Sequence, residues 1–89
     1  MSFQYNFPAI IEADNTLVRQ YNKILEEVAE FQRAWAMINT ARVDEEAMDI
    51  MHACETYFRI RERQGVDVEN IRQQVENKNR NRGYYGNNI

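Results

Sequence analysis

An all-α fold is predicted by the scarcity of helix breakers and by the spacing of the apolar side chains. The 89-residue chain contains one Pro and three Gly, and neither residue type occurs between Ala9 and Met37. Apolar residues recur every three or four positions, which is the helical period. A chain of 10.7 kDa has room for one domain, residues 1–89, and buries only about 60–65% of its unfolded surface. We therefore predict an antiparallel bundle of three to four helices.

The cysteine content and the N-terminal sequence restrict the class of protein. The single cysteine, Cys54, excludes an intramolecular disulfide framework and a cysteine-based zinc site, which favours a reducing compartment. The opening sequence MSFQYNFPAI has neither the basic start nor the apolar stretch of a signal peptide. No segment approaches the 18 apolar residues of a membrane span. We expect a cytoplasmic protein that does not associate with membranes.

The first predicted helix is long and amphipathic. It has two candidate starts, either near Pro8 or after a break at Asp14 and Asn15, whose short polar side chains are suited to capping. It should end near Ile38, before a connector of residues 39–42. Six apolar residues share one face of this helix at 100° per residue and are expected to pack in the core: Leu17, Tyr21, Ile24, Val28, Phe31 and Trp35.

The second predicted helix has recognisable signals at both ends. Asp44 is the candidate N-cap, because its carboxylate can accept hydrogen bonds from the first free N–H groups. Val43 and Met48 then occupy the two positions of a hydrophobic staple. Gly65 is the expected C-terminal stop, since glycine adopts the left-handed conformation that ends many helices.

The third predicted helix repeats the same signals. Asp67 is its candidate N-cap, and Val66 and Ile71 form the staple pair. The helix should run to about Arg82, where Gly83 ends it. Short loops on either side of the second helix favour antiparallel neighbours in a bundle.

The second helix is apolar on more than half of its circumference, which indicates partners on two sides. In so small a chain the second partner is expected to be another subunit. We predict a homo-oligomer, either a homodimer or a homotetramer, most simply a two-fold dimer. The apolar positions are Ala47, Met51, Cys54 and Phe58 on one side, with Ile50, Ala53, Tyr57 and Ile60 beside them.

Two pairs of carboxylates form the candidate site. Glu27 and Glu30 are three residues apart on the first helix, and Glu46 and Asp49 are three apart on the second, so each pair lies on one helix face. Four carboxylates brought together in an antiparallel pair would repel strongly unless cations lay between them. Oxygen-only ligation with positions left for water is the chemistry that Mg²⁺ prefers.

The same acidic residues carry a resemblance to a known family. Residues 26–30 (EEVAE) and 46–49 (EAMD), separated by fifteen residues, resemble the EExxE…ExxD signature of the MazG-like all-α nucleoside triphosphate pyrophosphohydrolases. Residues 65–68 (GVDV) and 78–85 (KNRNRGYY) are similar to the short, phage-type members. Phosphoribosyl-ATP pyrophosphohydrolase is a sister family with similar carboxylate pairs, but the ending at 78–85 favours the MazG-like side.

The resemblance implies a reaction and a set of residues. The reaction is attack of water at the α-phosphorus of a ribo- or deoxyribonucleoside triphosphate, releasing the monophosphate and pyrophosphate with Mg²⁺, or Mn²⁺ in its place. The implied metal ligands are Glu27, Glu30, Glu46 and Asp49. Glu26 would act as a base or support the ligands, so that the implied catalytic residues are Glu26, Glu27 and Glu30. The implied substrate-binding residues are Lys78, Asn79, Arg82, Tyr84 and Tyr85.

Several of these residues also have a purely structural interpretation. His52, three residues after Asp49, could orient a phosphate or act as an acid, but a hydrogen-bonded structural histidine is the commoner case. Tyr84 and Tyr85 follow the third helix and could either stack on a base or cover a neighbouring subunit. The basic residues near the C-terminus also suit a solvated helix end, where the helix dipole favours positive charge.

A second class of function is compatible with the same sequence. The net charge is −3, and an acidic helical face could belong to a non-catalytic, dimeric interaction or regulatory module that binds a basic partner. Such a module would tolerate Gln or Asn at the four carboxylate positions, whereas a metal-dependent enzyme would not. Nucleic-acid binding is not expected, because the basic residues are few and confined to one end of the chain.

Overall fold

The computed structural model describes residues 2–11 and 14–86. This part of the chain contains three helices and no strand: α1 (Leu17–Ala36), α2 (Thr40–Arg63) and α3 (Val68–Asn81). The predicted all-α class is confirmed. None of the three helices has an apolar stretch of bilayer-spanning length. Residues 2–11, called the N-terminal strap below, are irregular and lie against α2.

The start of α1 agrees with the later of the two predicted positions. Residues 8–11 and 14–16 are not helical, and Thr16 is the N-cap, with its Oγ1 accepting a hydrogen bond from the Arg19 N–H (3.1 Å). A short polar side chain therefore caps the helix, and it lies one residue beyond the predicted break at Asp14 and Asn15. The alternative start near Pro8 is wrong.

The start of α2 differs from the prediction. The helix begins at Thr40, and its N-cap is Asn39, whose Oδ1 accepts from the Arg42 N–H (3.2 Å). Asp44 therefore lies inside the helix, and the predicted Asp44 cap, its hydrophobic staple and the connector 39–42 are wrong. The physical reason is that Asn39 offers the same kind of side-chain acceptor five residues before Asp44, so the helix can already begin at Thr40.

The turn between α1 and α2 contains a strained residue. Ile38 has a φ of 54°, in the left-handed region that β-branched side chains rarely occupy. The strain allows two hydrogen bonds that close α1: the Ile38 N–H donates to the Trp35 carbonyl (3.1 Å) and the Asn39 N–H to the Ala34 carbonyl (3.4 Å). An isoleucine thus performs a task that glycine usually performs at helix ends.

The remaining helix ends follow the sequence closely. Gly65 has a φ of 91° and Gly83 a φ of 79°, and each follows the last turn of its helix, as predicted. After Gly65 the Val66 N–H donates back to the Arg61 carbonyl (3.1 Å). The predicted Asp67 cap of α3 is confirmed, since its carboxylate accepts from the Asn70 N–H (3.0 Å).

α1 and α2 form an antiparallel hairpin, and the face of α1 that meets α2 is rotated by about 80° from the centre of its apolar stripe. The buried or half-buried positions on α1 include Gln20, Ile24, Glu27, Phe31 and Ala34, with Gln20 and Ala34 fully buried. Because of this rotation, Tyr21 and Trp35 lie outside the core, and Trp35 is 70% exposed. The expectation that both pack in the core is wrong for the single chain.

The second covered side of α2 is occupied by the N-terminal strap. The Glu55 carboxylate, 7% exposed, accepts hydrogen bonds from the Asn6 N–H (2.9 Å), the Asn6 side chain (2.8 Å) and the Phe7 N–H (2.9 Å). Arg59 donates to the Phe7 carbonyl (2.7 Å). The Phe7 ring stacks on His52, with ring centroids 4.7 Å apart. A segment of the same chain therefore explains part of the two-sided burial that predicted a second subunit.

α3 projects from the end of the hairpin. Among the described helices it contacts α2 but not α1, and Val68 is its one fully buried residue. Ile71 and Val75 on the same helix are exposed. The radius of gyration is 15.5 Å, against about 12 Å for a compact chain of this length. The chain therefore folds as a helical hairpin with a strap and a projecting third helix.

Candidate metal centre

Three of the four predicted metal ligands lie together between α1 and α2. Glu27 from α1 and Glu46 and Asp49 from α2 each offer a carboxylate oxygen, and the three oxygens lie within 4.8 Å of one another. The antiparallel packing causes this convergence, because Glu27 lies opposite the first half of α2 while Gln20 lies opposite Ala53. Glu46 is 4% exposed and Asp49 is exposed, so the cluster reaches from the interface to the surface.

Two basic side chains compensate the charge of this cluster. The Lys23 ammonium lies 3.1 Å from a Glu27 oxygen, and Arg42 Nε lies 2.9 Å from a Glu46 oxygen. The hydrogen bond to Glu27 raises the pKa of Lys23 above its ordinary value, although burial opposes the shift; the charges of Glu27, Glu26 and Asp49 add to it. The acidic residues thus favour the charged form of Lys23.

Glu30, the fourth predicted ligand, has different neighbours. Its carboxylate lies 2.6 Å from an Arg33 nitrogen and 3.7 Å from Arg42, which also pairs with Glu46. Arg42 therefore links Glu30 to Glu46, and Glu30 is not among the three clustered carboxylates. Glu26, the predicted base, is exposed and lines the cleft beside the cluster.

Two carboxylates of the cluster, Glu27 and Asp49, line a cleft of about 570 Å³. This volume is within the range of small-molecule sites. The cleft is bounded by α1, by α2 and by Ile10 of the N-terminal strap. Its lining is mostly polar and charged: Ile10, Asn15, Arg19, Gln20, Asn22, Lys23, Glu26, Glu27, Asp49, His52 and Ala53.

His52, which lines this cleft, has an unsatisfied polar atom in its ring. Its Nε2 atom is buried and has no hydrogen-bond partner within the described part of the chain. The stacked Phe7 ring covers one face of the imidazole. A buried nitrogen without a partner is energetically costly.

The end of the cleft away from the carboxylates contains a pair of amide side chains that the sequence analysis missed. Gln20 is 4% exposed, and its Nε2–H donates to the Ala53 carbonyl (2.8 Å). The Asn15 Nδ2–H in turn donates to Gln20 Oε1 (2.9 Å). One sequence signal was available: Gln20 precedes Glu27 by seven residues and so occupies the same helix face.

The predicted substrate-binding residues lie elsewhere in the chain. Lys78, Asn79, Arg82, Tyr84 and Tyr85 belong to α3 and the turn after it, and none of them lines the cleft in the part of the chain that is described. Two arginines on this segment lie over the tyrosine rings instead, with Arg80 5.6 Å from the Tyr85 centroid and Arg82 5.9 Å from that of Tyr84. The structure therefore separates the basic C-terminal group from the carboxylates of the same chain.

No protein-family model, curated protein or solved structure matches this chain. The resemblance to MazG-like enzymes rests on the acidic pattern of residues 26–30 and 46–49 and on the similar segments 65–68 and 78–85.

Proposed function

We propose that this chain is a MazG-like nucleoside triphosphate pyrophosphohydrolase of the cytoplasm. It uses Mg²⁺, or Mn²⁺ in its place, to hydrolyse ribo- or deoxyribonucleoside triphosphates at the α-phosphorus, giving the monophosphate and pyrophosphate. The observation that carries this function is the convergence of Glu27, Glu46 and Asp49 within 4.8 Å, beside a cleft of nucleotide size that Glu27 and Asp49 line.

The donor set fits a hard divalent cation. Glu27, Glu46 and Asp49 supply only oxygen atoms, and three carboxylates leave coordination positions for water and phosphate oxygens. His52 lines the same cleft beside Asp49. When bound, Mg²⁺ would neutralise phosphate charge and lower the pKa of a bound water.

The side chains around the cluster have distinct proposed tasks. Glu26, exposed at the cleft, accepts the proton of the attacking water. Lys23 and Arg19 line the same cleft and contribute positive charge toward the phosphates, which stabilises the charge that develops on their oxygens. Glu30 would complete the ligand set if Arg33 and Arg42 released its carboxylate.

We further propose that the active form is a homodimer or homotetramer. The exposed apolar residues of α1 form a continuous face. Among the described helices α3 contacts only α2, and the radius of gyration is large for a chain of this length. A second copy lying on this face would also explain how Lys78, Asn79, Arg82, Tyr84 and Tyr85 act, since α3 of one subunit could reach the cleft of another. The exposed face consists of Val18, Tyr21, Leu25 and Trp35.

A non-catalytic interaction module is the second candidate, and one observation favours it. Lys23, Arg33 and Arg42 already pair with Glu27, Glu30 and Glu46, so those three acids have partners without any metal. In a module of this kind the cluster would simply be a balanced network of ion pairs. Added Mg²⁺ would then change neither its stability nor its assembly.

A turnover screen separates the two candidates. The purified chain is incubated with each ribo- and deoxyribonucleoside triphosphate in Mg²⁺, and the release of pyrophosphate and of the monophosphate is measured. The hydrolase yields both products in equal amounts and loses activity in excess EDTA. Inorganic phosphate as the product would contradict cleavage at the α-phosphorus, and undiminished turnover in EDTA would contradict the metal site.

A further inference from the structure

The hydrogen bonds of Gln20 fix the orientation of its side-chain amide. The residue is 4% exposed, so the amide has no access to bulk water, and its partner on α2 is a backbone carbonyl. A carbonyl can only accept, so the NH₂ group of Gln20 must face Ala53 and the oxygen must face away from it. Exchanging the two ends of the amide would place two oxygens against each other in a buried position, which is strongly unfavourable.

The orientation of the Gln20 amide also determines the orientation of the Asn15 side chain. The end of the Gln20 amide that faces away from Ala53 is an acceptor, so Asn15 must present an N–H to it, as it does at 2.9 Å. The Oδ1 atom and the second Nδ2 hydrogen of Asn15 remain, and neither has a partner among residues 2–11 and 14–86. Asn15 lines the cleft. One acceptor and one donor are therefore held beside the cleft by a chain of bonds that begins at the buried backbone of α2.

The position of this pair relative to the carboxylates matches the shape of a nucleotide. Gln20 and Glu27 lie on the same face of α1, seven residues or about 10 Å apart along the helix axis. In an extended nucleotide a comparable distance separates the polar edge of the base from the α-phosphate. A nucleotide whose phosphates lie at Glu27 therefore extends its base toward Asn15.

We propose that Asn15 reads the hydrogen-bonding edge of the nucleobase and that Gln20 is the positioning residue that orients it. This inference rests on the proposed function. The ligand class is a purine or pyrimidine edge with an adjacent donor and acceptor, the pattern that carboxamide side chains bind through two parallel hydrogen bonds. Because the Asn15 amide is held in one orientation, one order of donor and acceptor along the base edge is favoured over the other. This gives the site a base preference.

The test compares base preference in three variants with that of the wild type. Asn15→Ala removes the reading group, Gln20→Leu removes the orienting amide while keeping the side-chain size, and Asn22→Ala is the matched control, an exposed asparagine lining the same cleft. For each, kcat/KM is measured with the four deoxyribonucleoside triphosphates. The binding of the four deoxyribonucleoside monophosphates in Mg²⁺ is measured by calorimetry, a readout that needs no turnover.

The wild type should prefer one base, and Asn15→Ala and Gln20→Leu should each lower kcat/KM for that base by about tenfold while changing it little for the others. Asn22→Ala should keep the wild-type ratios. A loss that is equal for all four bases, or wild-type ratios in Asn15→Ala, would overturn base reading while leaving the hydrolase intact. If the protein has no turnover but binds monophosphates with a base preference that Asn15→Ala abolishes, base reading is supported and the hydrolase is refuted. Absence of any nucleotide binding would overturn both.

Discussion

The attachment of the N-terminal strap depends on the charge of Glu55, and the substitution Glu55→Gln tests this dependence. Three N–H groups donate to the Glu55 carboxylate: the backbone and side chain of Asn6 and the backbone of Phe7. A hydrogen bond to a charged group contributes roughly 1.5–3 kcal/mol, and one between neutral groups about 1 kcal/mol. A neutral glutamine therefore loses about 1 kcal/mol per bond, or about 3 kcal/mol of strap attachment in total.

The assay is amide hydrogen exchange at Asn6 and Phe7. A loss of about 3 kcal/mol corresponds to an increase of at least about a hundredfold in the exchange rate of these two amides. Glu45→Gln, an exposed position on the same helix, is the control and should leave both rates unchanged. Equal exchange rates in wild type and Glu55→Gln would refute the inference that this carboxylate holds the strap.

The same attachment should depend on pH. Burial favours the neutral form of Glu55, but the hydrogen bonds from Asn6 and Phe7 together hold its pKa below the usual value of 4.5. A group whose pKa is lower in the folded state contributes stability above its unfolded pKa, and this contribution is lost as the pH falls through the folded value. Protection of the Asn6 and Phe7 amides should therefore persist at pH 6 and decline below about pH 4 in the wild type, whereas Glu55→Gln should show no such decline.

Three further predictions concern the helix turn, the metal and the assembly. Ile38→Gly relieves a left-handed isoleucine that is 86% exposed and should raise the free energy of unfolding by about 0.5–1 kcal/mol, after the entropy cost of glycine; an unchanged or lower melting temperature would show that the turn is not strained. Mg²⁺ should raise the melting temperature of the wild type, because it binds the folded carboxylate cluster, and this increase should be absent in Glu46→Gln; an equal increase in both would place the ion elsewhere. Sedimentation at micromolar concentration should give at least twice the mass of 10.7 kDa, and Trp35→Glu should shift it toward the monomer; a wild-type monomer would refute the proposed assembly.

The helix class and most helix ends could be predicted from local chemistry. Gly65, Asp67 and Gly83 act within a few residues of themselves, so their effects are visible in the sequence. Asn39 was missed because two capping residues, Asn39 and Asp44, compete within five positions, and local rules do not rank them. Ile38 could not be predicted, because its left-handed conformation is imposed by the bonds that close α1 and start α2.

The residues of the candidate site could be predicted where helical spacing places them on one face. They could not be predicted where their position depends on tertiary packing. The carboxylates at 27, 46 and 49 follow from two helix faces, and the structure brings them together. The role of Arg42 beside Glu30 depends on the register between α1 and α2, which apolar periodicity did not define. Glu55 contacts strap residues that precede it by 48 and 49 positions in the sequence, and such long-range pairs have no local signal.

The rotation of α1 has a further consequence for sequence interpretation. Its most apolar direction does not face α2, because Gln20 and Glu27 occupy the interface in place of apolar residues. Binary patterning assigns polar residues to the surface and so misplaces a helix face whose buried positions include polar residues. The two misassigned aromatic residues, Tyr21 and Trp35, are the result of that displacement.

The most direct test of the proposed hydrolase is a comparison of Asp49→Asn with Asp44→Asn. Both replace an exposed aspartate of α2 by its neutral analogue, but only Asp49 belongs to the carboxylate cluster. Pyrophosphate release is measured in Mg²⁺ with the best substrate, and the melting temperature is recorded for each variant. We predict that Asp49→Asn lowers kcat by about a hundredfold or more without loss of folding, while Asp44→Asn keeps wild-type turnover. Equal turnover in the two variants would contradict a catalytic metal site at Glu27, Glu46 and Asp49.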